Sequence, residues 1–231
     1  MRKLTPVALV LTLAFLVSTT TGANEQKHAK QWATDFPLEK DELATIGRNL
    51  HFILEPGYVL VLENGSERLT ITVLNETQRV GDVDTRVVEE KETKSGKLVE
   101  ISRNYCAISK KTNSVYYFGE DVDIYKNERV VGHDGAWLSG VKGARFGLLM
   151  PGIIELGSKY YQELAPGVAM DRAEIISVNE TVVTLAARFT NCLKVKETTP
   201  LEPRSTEYKY YAAGIGLVQD GSLKLVRHGR E

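Results

Sequence analysis

Cysteine is nearly absent: Cys106 and Cys192 are the two in 231 residues, far from the density of a disulfide-built miniprotein. The first lies too far along the chain to be the acylated cysteine of a bacterial lipoprotein, so no N-terminal lipid anchor is expected. Charge of one sign is lacking too. Lys and Arg number 29 against 30 Asp and Glu, so the basic surplus that neutralises phosphates is missing and no nucleic-acid partner is expected. After the first 23 residues no apolar run approaches the roughly 18 that suggest a membrane-crossing helix. The catalytic signatures Gly-x-Ser-x-Gly and His-Glu-x-x-His, the phosphate-binding loop and the dinucleotide fingerprint are all missing. This weakens the case for an enzyme, although a hydrolase working with two carboxyl groups needs no short motif.

What is present begins with Met1-Arg2-Lys3, an apolar stretch from Val7 to Val17, and a small polar run ending at Ala23. That order of charged, apolar and small residues is the pattern of a secretory signal peptide. As a helix the apolar stretch would rise only about 16 Å, half of a bilayer core of about 30 Å. Residues 1–23 are therefore read as a leader cleaved after Ala23. Residues 24–231 are read as one β-rich domain, periplasmic or secreted, with no membrane span in the mature chain.

Self-comparison finds two segments, Glu67 to Ala107 and Asp171 to Ala212, that match in islands. Asn75-Glu76-Thr77 corresponds to Asn179-Glu180-Thr181 at an offset of 104; Lys91-Glu92-Thr93 to Lys196-Glu197-Thr198 and Tyr105 to Tyr210 at 105. Both segments alternate apolar and polar residues with period two, as in Leu69, Ile71, Val73 against Arg68, Thr70, Thr72, which is the strand signature. Asn64-Gly65-Ser66, Ser95-Gly96 and Asp220-Gly221-Ser222 supply turns. Leu43, Ile46 and Leu50 fall at helical spacing, and Pro56-Gly57 provides a stop, so a helix is expected over Glu39 to Phe52. The fold class is all-β: a curved antiparallel meander or partly closed barrel with a duplicated three-strand unit and a short N-terminal helix. Trp32 is assigned to a mobile N-terminal segment.

The stretch 114–167 between the repeats has no second copy and concentrates aromatics, acids and glycines, so a specific site is expected there. Asp121 and Asp123 share a face of one strand, and with His133 they are the candidate metal ligands, Ca²⁺ being the candidate cation. Against this, Tyr125, Lys126 and Gly132 break the calcium-loop consensus, and Lys126 and Arg129 offer charge balance instead. Adjacent tyrosines, as in Tyr116-Tyr117, Tyr160-Tyr161 and Tyr210-Tyr211, should send one ring to each face of a sheet. Tyr117, Trp137 and Tyr161 are the candidate walls of a ligand cleft. Cys106 and Cys192 are read as separate buried strand thiols, a disulfide between them being the alternative.

At YYFGEDVDIYK, LLMPG, YYQELAPGVAMDRAE and the terminal YKYYAAGIGLV the chain resembles uncharacterised exported bacterial proteins, a domain-of-unknown-function family. That resemblance implies a bacterial exported protein and assigns no catalytic residue. A likeness in architecture alone is to the curved sheets of periplasmic lipoprotein carriers. The expected function is a non-catalytic binding module for an apolar or lipid-like ligand or an envelope protein partner. The alternatives are a hydrolase using two of Glu120, Asp121, Asp123, Glu163 and Asp171, and a cation-dependent structural or interaction protein. The oligomeric state is left open.

Overall fold

The computed structural model describes residues 31–230; the expected leader and its cleavage point lie outside the described residues. A 3-10 turn at Lys40–Glu42 precedes eighteen strands. In order these are β1 Leu43–Ala44, β2 Gly47–Asn49, β3 Phe52–Leu54, β4 Tyr58–Asn64, β5 Glu67–Val80, β6 Val83–Lys94, β7 Lys97–Ser109, β8 Val115–Lys126 and β9 Arg129–Gly132. They continue as β10 Trp137–Leu138, β11 Arg145–Met150, β12 Lys159–Tyr161, β13 Glu163–Leu164, β14 Arg172–Val183, β15 Arg188–Thr199, β16 Glu202–Ala212, β17 Gly216–Asp220 and β18 Leu223–Arg230.

Sixteen strands form one antiparallel sheet in the spatial order β12-β14-β15-β16-β17-β18-β4-β5-β6-β7-β8-β11-β13, with β1, β9 and β10 attached at the side. Because only Gln162 separates β12 from β13, both ends of that series are one short stretch of chain. The sheet thereby nearly closes into a barrel, and its two long edges are paired away. Tight turns drive the meander. Between β6 and β7, Ser95 and Gly96 both take positive φ, 51° and 74°, the geometry of a two-residue hairpin turn whose twist matches its strands.

The two segments that match in sequence fold as β5-β6-β7 and β14-β15-β16, two meanders of like strand order. Their first hairpins share a register: Leu69 faces Glu92 and Ile71 faces Glu90, while Ala173 faces Glu197 and Ile175 faces Val195. Both hairpins also break register at the Asn-Glu-Thr island, between Val73 and Thr77 and between Ser177 and Glu180. Such bulges bend the strands and help the sheet to curl. In the second hairpin the register moves by two residues, Val88 facing Asn104 but Leu193 facing Tyr211. A shift of two preserves which face each side chain occupies.

The helix expected over Glu39 to Phe52 is not formed. Leu43 and Ala44 instead pair with Ser109 and Ile108 on the flank of β7, and β2 and β3 make a hairpin. Ile46 and Leu50, which would have shared the buried stripe of a helix, are 53% and 60% exposed. Gly47 passes so close to Ile108 that a Cβ there would stand 2.9 Å from its side chain. Apolar spacing alone did not register that the open flank of β7 offers this segment backbone partners. Trp32 packs against the barrel: Ala33 bridges to Tyr160, and the Trp32 ring meets Tyr161 edge-on at 6.2 Å with the Arg172 guanidinium 4.5 Å from its centre.

Two apolar clusters result. The larger draws on strands all round the sheet and includes Leu54, Leu62, Ile175 and Leu225, each fully buried, and each such side chain contributes about 2 kcal/mol by leaving water. The smaller lies outside the sheet, where Phe36, Leu38 and Leu43 cover Val87, Tyr105, Tyr116 and Phe118. Cys106 and Cys192 are both buried and free. Among the described residues no helix is long and apolar enough to cross a membrane.

Candidate functional site

Strand alternation decides which side chains enter the barrel. Glu90 on β6, Asn104 and Cys106 on β7, Tyr117 and Glu120 on β8, Glu197 on β15, and Lys209 and Tyr211 on β16 all line one interior cavity of about 240 Å³. Glu120 follows Tyr117 by three residues and still faces inward, because the β7–β8 register slips between Asn104 and Cys106.

The cavity is polarised along its length. Its lower end is walled by Phe52, Ile53, Leu60, Leu149, Met150 and Leu217. The β2–β3 hairpin crosses that end and is anchored by buried Asn49, whose Nδ2 donates to the Asn113 and Pro151 carbonyls, each at 2.9 Å. Its Oδ1 accepts the His51 backbone N–H at 2.7 Å, which turns the His51 ring to the cavity floor. At the upper end stand six carboxyl groups, Glu90, Glu120, Glu163, Asp171, Glu197 and Asp220. From there Glu120, Asp171 and Glu197 also line an outer cleft that adds Glu202 and Glu207.

Among the described lining residues Lys209 is the one ammonium or guanidinium group. Its Nζ lies 2.9 Å from Glu197 and 3.9 Å from Asp220. Burial opposes its charge, but Glu197 and Asp220 outweigh this and hold its pKa well above the ordinary lysine value. Burial pushes Glu90 and Glu120 up to about 7, and each like-charged neighbour adds to the shift. Glu163 is pushed well above the carboxylate range by burial and by Asp171, although its Oε1 accepts the Asp171 backbone N–H at 2.5 Å. Burial also raises Asp171 and Asp220. Elsewhere in the lumen the Tyr117 hydroxyl donates to Asn104 Oδ1 at 2.5 Å and Gln162 Nε2 donates to Glu197 Oε1 at 3.1 Å. His51 is 5% exposed, its pKa lowered by burial, and its Nδ1 has no hydrogen-bond partner in the protein. The Cys106 thiol is pushed up by burial, which keeps it a neutral, unreactive wall group.

The expected site residues divide between the faces. Tyr117 lines the lumen, and Trp137 stacks edge-on against it at 5.2 Å, separating the lumen from a side cleft that also contains Asp121. Tyr161 lies on the outer face against Trp32. Two tyrosine pairs split between faces: Tyr117 belongs to the interior cluster and Tyr116 to the outer one, and Tyr160 is interior while Tyr161 meets Trp32; Tyr211 is interior and Tyr210 packs against the same cluster. Asp121 and Asp123 share a face, but it is the outer one. There Asp121 accepts the Tyr105 hydroxyl at 2.5 Å, and Asp123 pairs with Arg103 at 3.1 Å and lies 3.2 Å from His133 Nδ1. The charge balance comes from Arg103, not from Lys126 or Arg129. No group of three or more His, Cys, Asp and Glu among the described residues is arranged to hold a metal ion.

Of the five acids named for hydrolysis, Glu120, Glu163 and Asp171 meet in the lumen. Sequence reading missed Glu90, Glu197, Lys209, Asp220 and His51. A signal existed for most of them: Glu90 has the strand parity of Val88, Glu197 that of Val195 and Lys209 that of Tyr211. A charged residue in an otherwise apolar inward series marks a polar lumen. Comparisons with family models, curated proteins and solved structures find no match.

Proposed function

We propose that the protein is an exported binding module that takes one small molecule into its barrel, apolar part down and polar part toward the carboxyl groups. The observation that carries this reading is a cavity of about 240 Å³ with an apolar, hairpin-capped lower end and a polar upper end. Small-molecule sites are concave, mostly apolar and supplied with a few convergent polar groups. Export to the periplasm or medium, with cleavage after Ala23, belongs to the same proposal and rests on the leader pattern, as does the likeness to exported bacterial proteins.

Native mass spectrometry of protein taken from its own host tests the reading. A bound small molecule is expected in the wild type. It should be missing from Ile71→Trp, which fills the cavity beside a half-buried wall residue, provided circular dichroism shows the sheet intact. An identical unliganded mass in both proteins, with no thermal shift from eight-carbon amphiphiles, would overturn it. A second reading, hydrolysis by paired carboxyl groups, is favoured by the convergence of Glu120, Glu163 and Asp171 on one cavity. Turnover of nitrophenyl glycosides that disappears in both Glu120→Gln and Glu163→Gln would replace binding with catalysis.

A further inference from the structure

We infer that the ligand is an amphiphilic cation: a protonated amine on a short apolar body, its ammonium held among Glu90, Glu120 and Glu163 and its tail directed to the His51 floor. This rests on the lumen-binding reading above and names the class of molecule that the lumen selects.

The charge inventory leads to it. Lys209 pairs directly with Glu197 and Asp220 and reaches Glu90 only through space, while burial lowers the His51 pKa and so disfavours a charge there. Among the described residues no Lys, Arg or His makes a direct ion pair with Glu90, Glu120 or Glu163, Lys209 acting on Glu90 only from beyond contact, although all three line the cavity. Buried carboxyl groups without a cation are costly to ionise, and an entering ammonium with three donors supplies both charge and hydrogen bonds. An anionic head would meet like charge instead. A compact metal ion is a poorer fit, since no three described carboxylate, imidazole or thiol groups are arranged around one point.

The lumen also has a direction. Upward along β6 the inward residues run Val88, Glu90, Glu92, and along β7 they run Cys106, Asn104, Ser102, Glu100. Apolar wall thus gives way to acid toward the outer cleft, where Glu202 and Glu207 extend the negative field. Such a field gathers cations at the mouth. The floor is not merely apolar: His51 is 95% buried and presents a ring whose Nδ1 has no protein partner, a polar end-stop for a tail of defined length.

Calorimetry with octylamine, 1-octanol and octanoate at pH 7.5 separates charge from apolar body, because the three share one chain. Octylamine is expected to bind at least tenfold more tightly than octanol, with octanoate weakest. In the double variant Glu90→Gln, Glu120→Gln octylamine should fall to the affinity of octanol, whose own binding stays. Equal binding of all three, or octanoate tightest, would overturn the cation assignment and leave a lumen that binds apolar chains. Binding of none, with wild-type fold confirmed by circular dichroism, would overturn the lumen reading and this inference together. Amine preference that survives in the double variant would place the charge recognition elsewhere and likewise overturn the assignment.

Discussion

Arg86 repairs the break that lets β5 bend. Where the β5–β6 register slips past Val73, the carbonyls of Leu74 and Glu76 are taken up by Arg86 Nη1 at 3.3 and 3.1 Å. Its Nε donates to the Thr45 carbonyl at 3.0 Å. One planar guanidinium, 4% exposed, therefore ties the bulge to the segment between β1 and β2. Burial lowers its pKa, yet arginine stays charged. Removing it leaves three part-buried carbonyls without their donor, each costing about 1 kcal/mol. Arg86→Met should lose about 2–4 kcal/mol in urea denaturation, while Arg86→Lys should recover only part of this, since a single ammonium cannot span the fork. A loss below about 1 kcal/mol in Arg86→Met would show that the bulge carbonyls find water instead.

At the level of strands, closure depends on a residue with no side chain. Gly147 on β11 lies where β12 and β13 cross, and a Cβ there would overlap the carbonyls of Gln162 and Tyr161. Its φ is not positive, so the demand is one of space and not of backbone conformation. Gly147→Ala should push the closing segment off β11, costing about 2 kcal/mol and speeding amide exchange at residues 159–164. Gly132→Ala is the control, since its nearest neighbour stands 3.8 Å away and no measurable change is expected. The same contrast explains what could be read from the chain. Period two, turn composition and the like order of two meanders are local patterns, and they were legible. The spacing that suggests a helix over Glu39 to Phe52 is equally local, whereas the flank of β7 that captures Leu43 and Ala44 is supplied by Ser109 and Ile108, 66 and 64 residues on. Asp121 and Asp123 stand out in the sequence because they sit two apart on one strand. The lumen took Glu120 instead, because a register slip set by the whole barrel decides which parity points inward.

Across the whole molecule, the lumen acids set how stability depends on pH. In the unfolded chain Glu90 and Glu120 titrate near 4.5; in the barrel burial pushes both to about 7. Below about 4.5 both states carry these protons and the two groups contribute no difference. Between about 4.5 and 7 the folded state holds more protons than the unfolded one, so stability falls as pH rises, and above 7 the penalty is constant. Glu163, Asp171 and Asp220 shift in the same direction and reinforce it. Glu55 runs the other way. Hydrogen bonds from Arg48 and Arg230 lower it to about 2, so its contribution is complete above about 4.5 and is lost progressively as pH falls from there through 2. Glu55 acts in a lower window, whereas His51, lowered by burial from 6.5, opposes the acids as pH falls below about 6.5; five raised carboxyl groups against one imidazole still place the stability maximum of the empty barrel on the acid side of neutrality. Melting should be several degrees higher at pH 5.5 than at pH 7.5, a difference on the order of 1–3 kcal/mol. Glu120→Gln should shrink that difference by raising the melting temperature at pH 7.5 while leaving the value at pH 5.5 near wild type. A wild-type melting temperature that is flat or rising over this range would mean that the lumen acids are ionised at no cost to the fold.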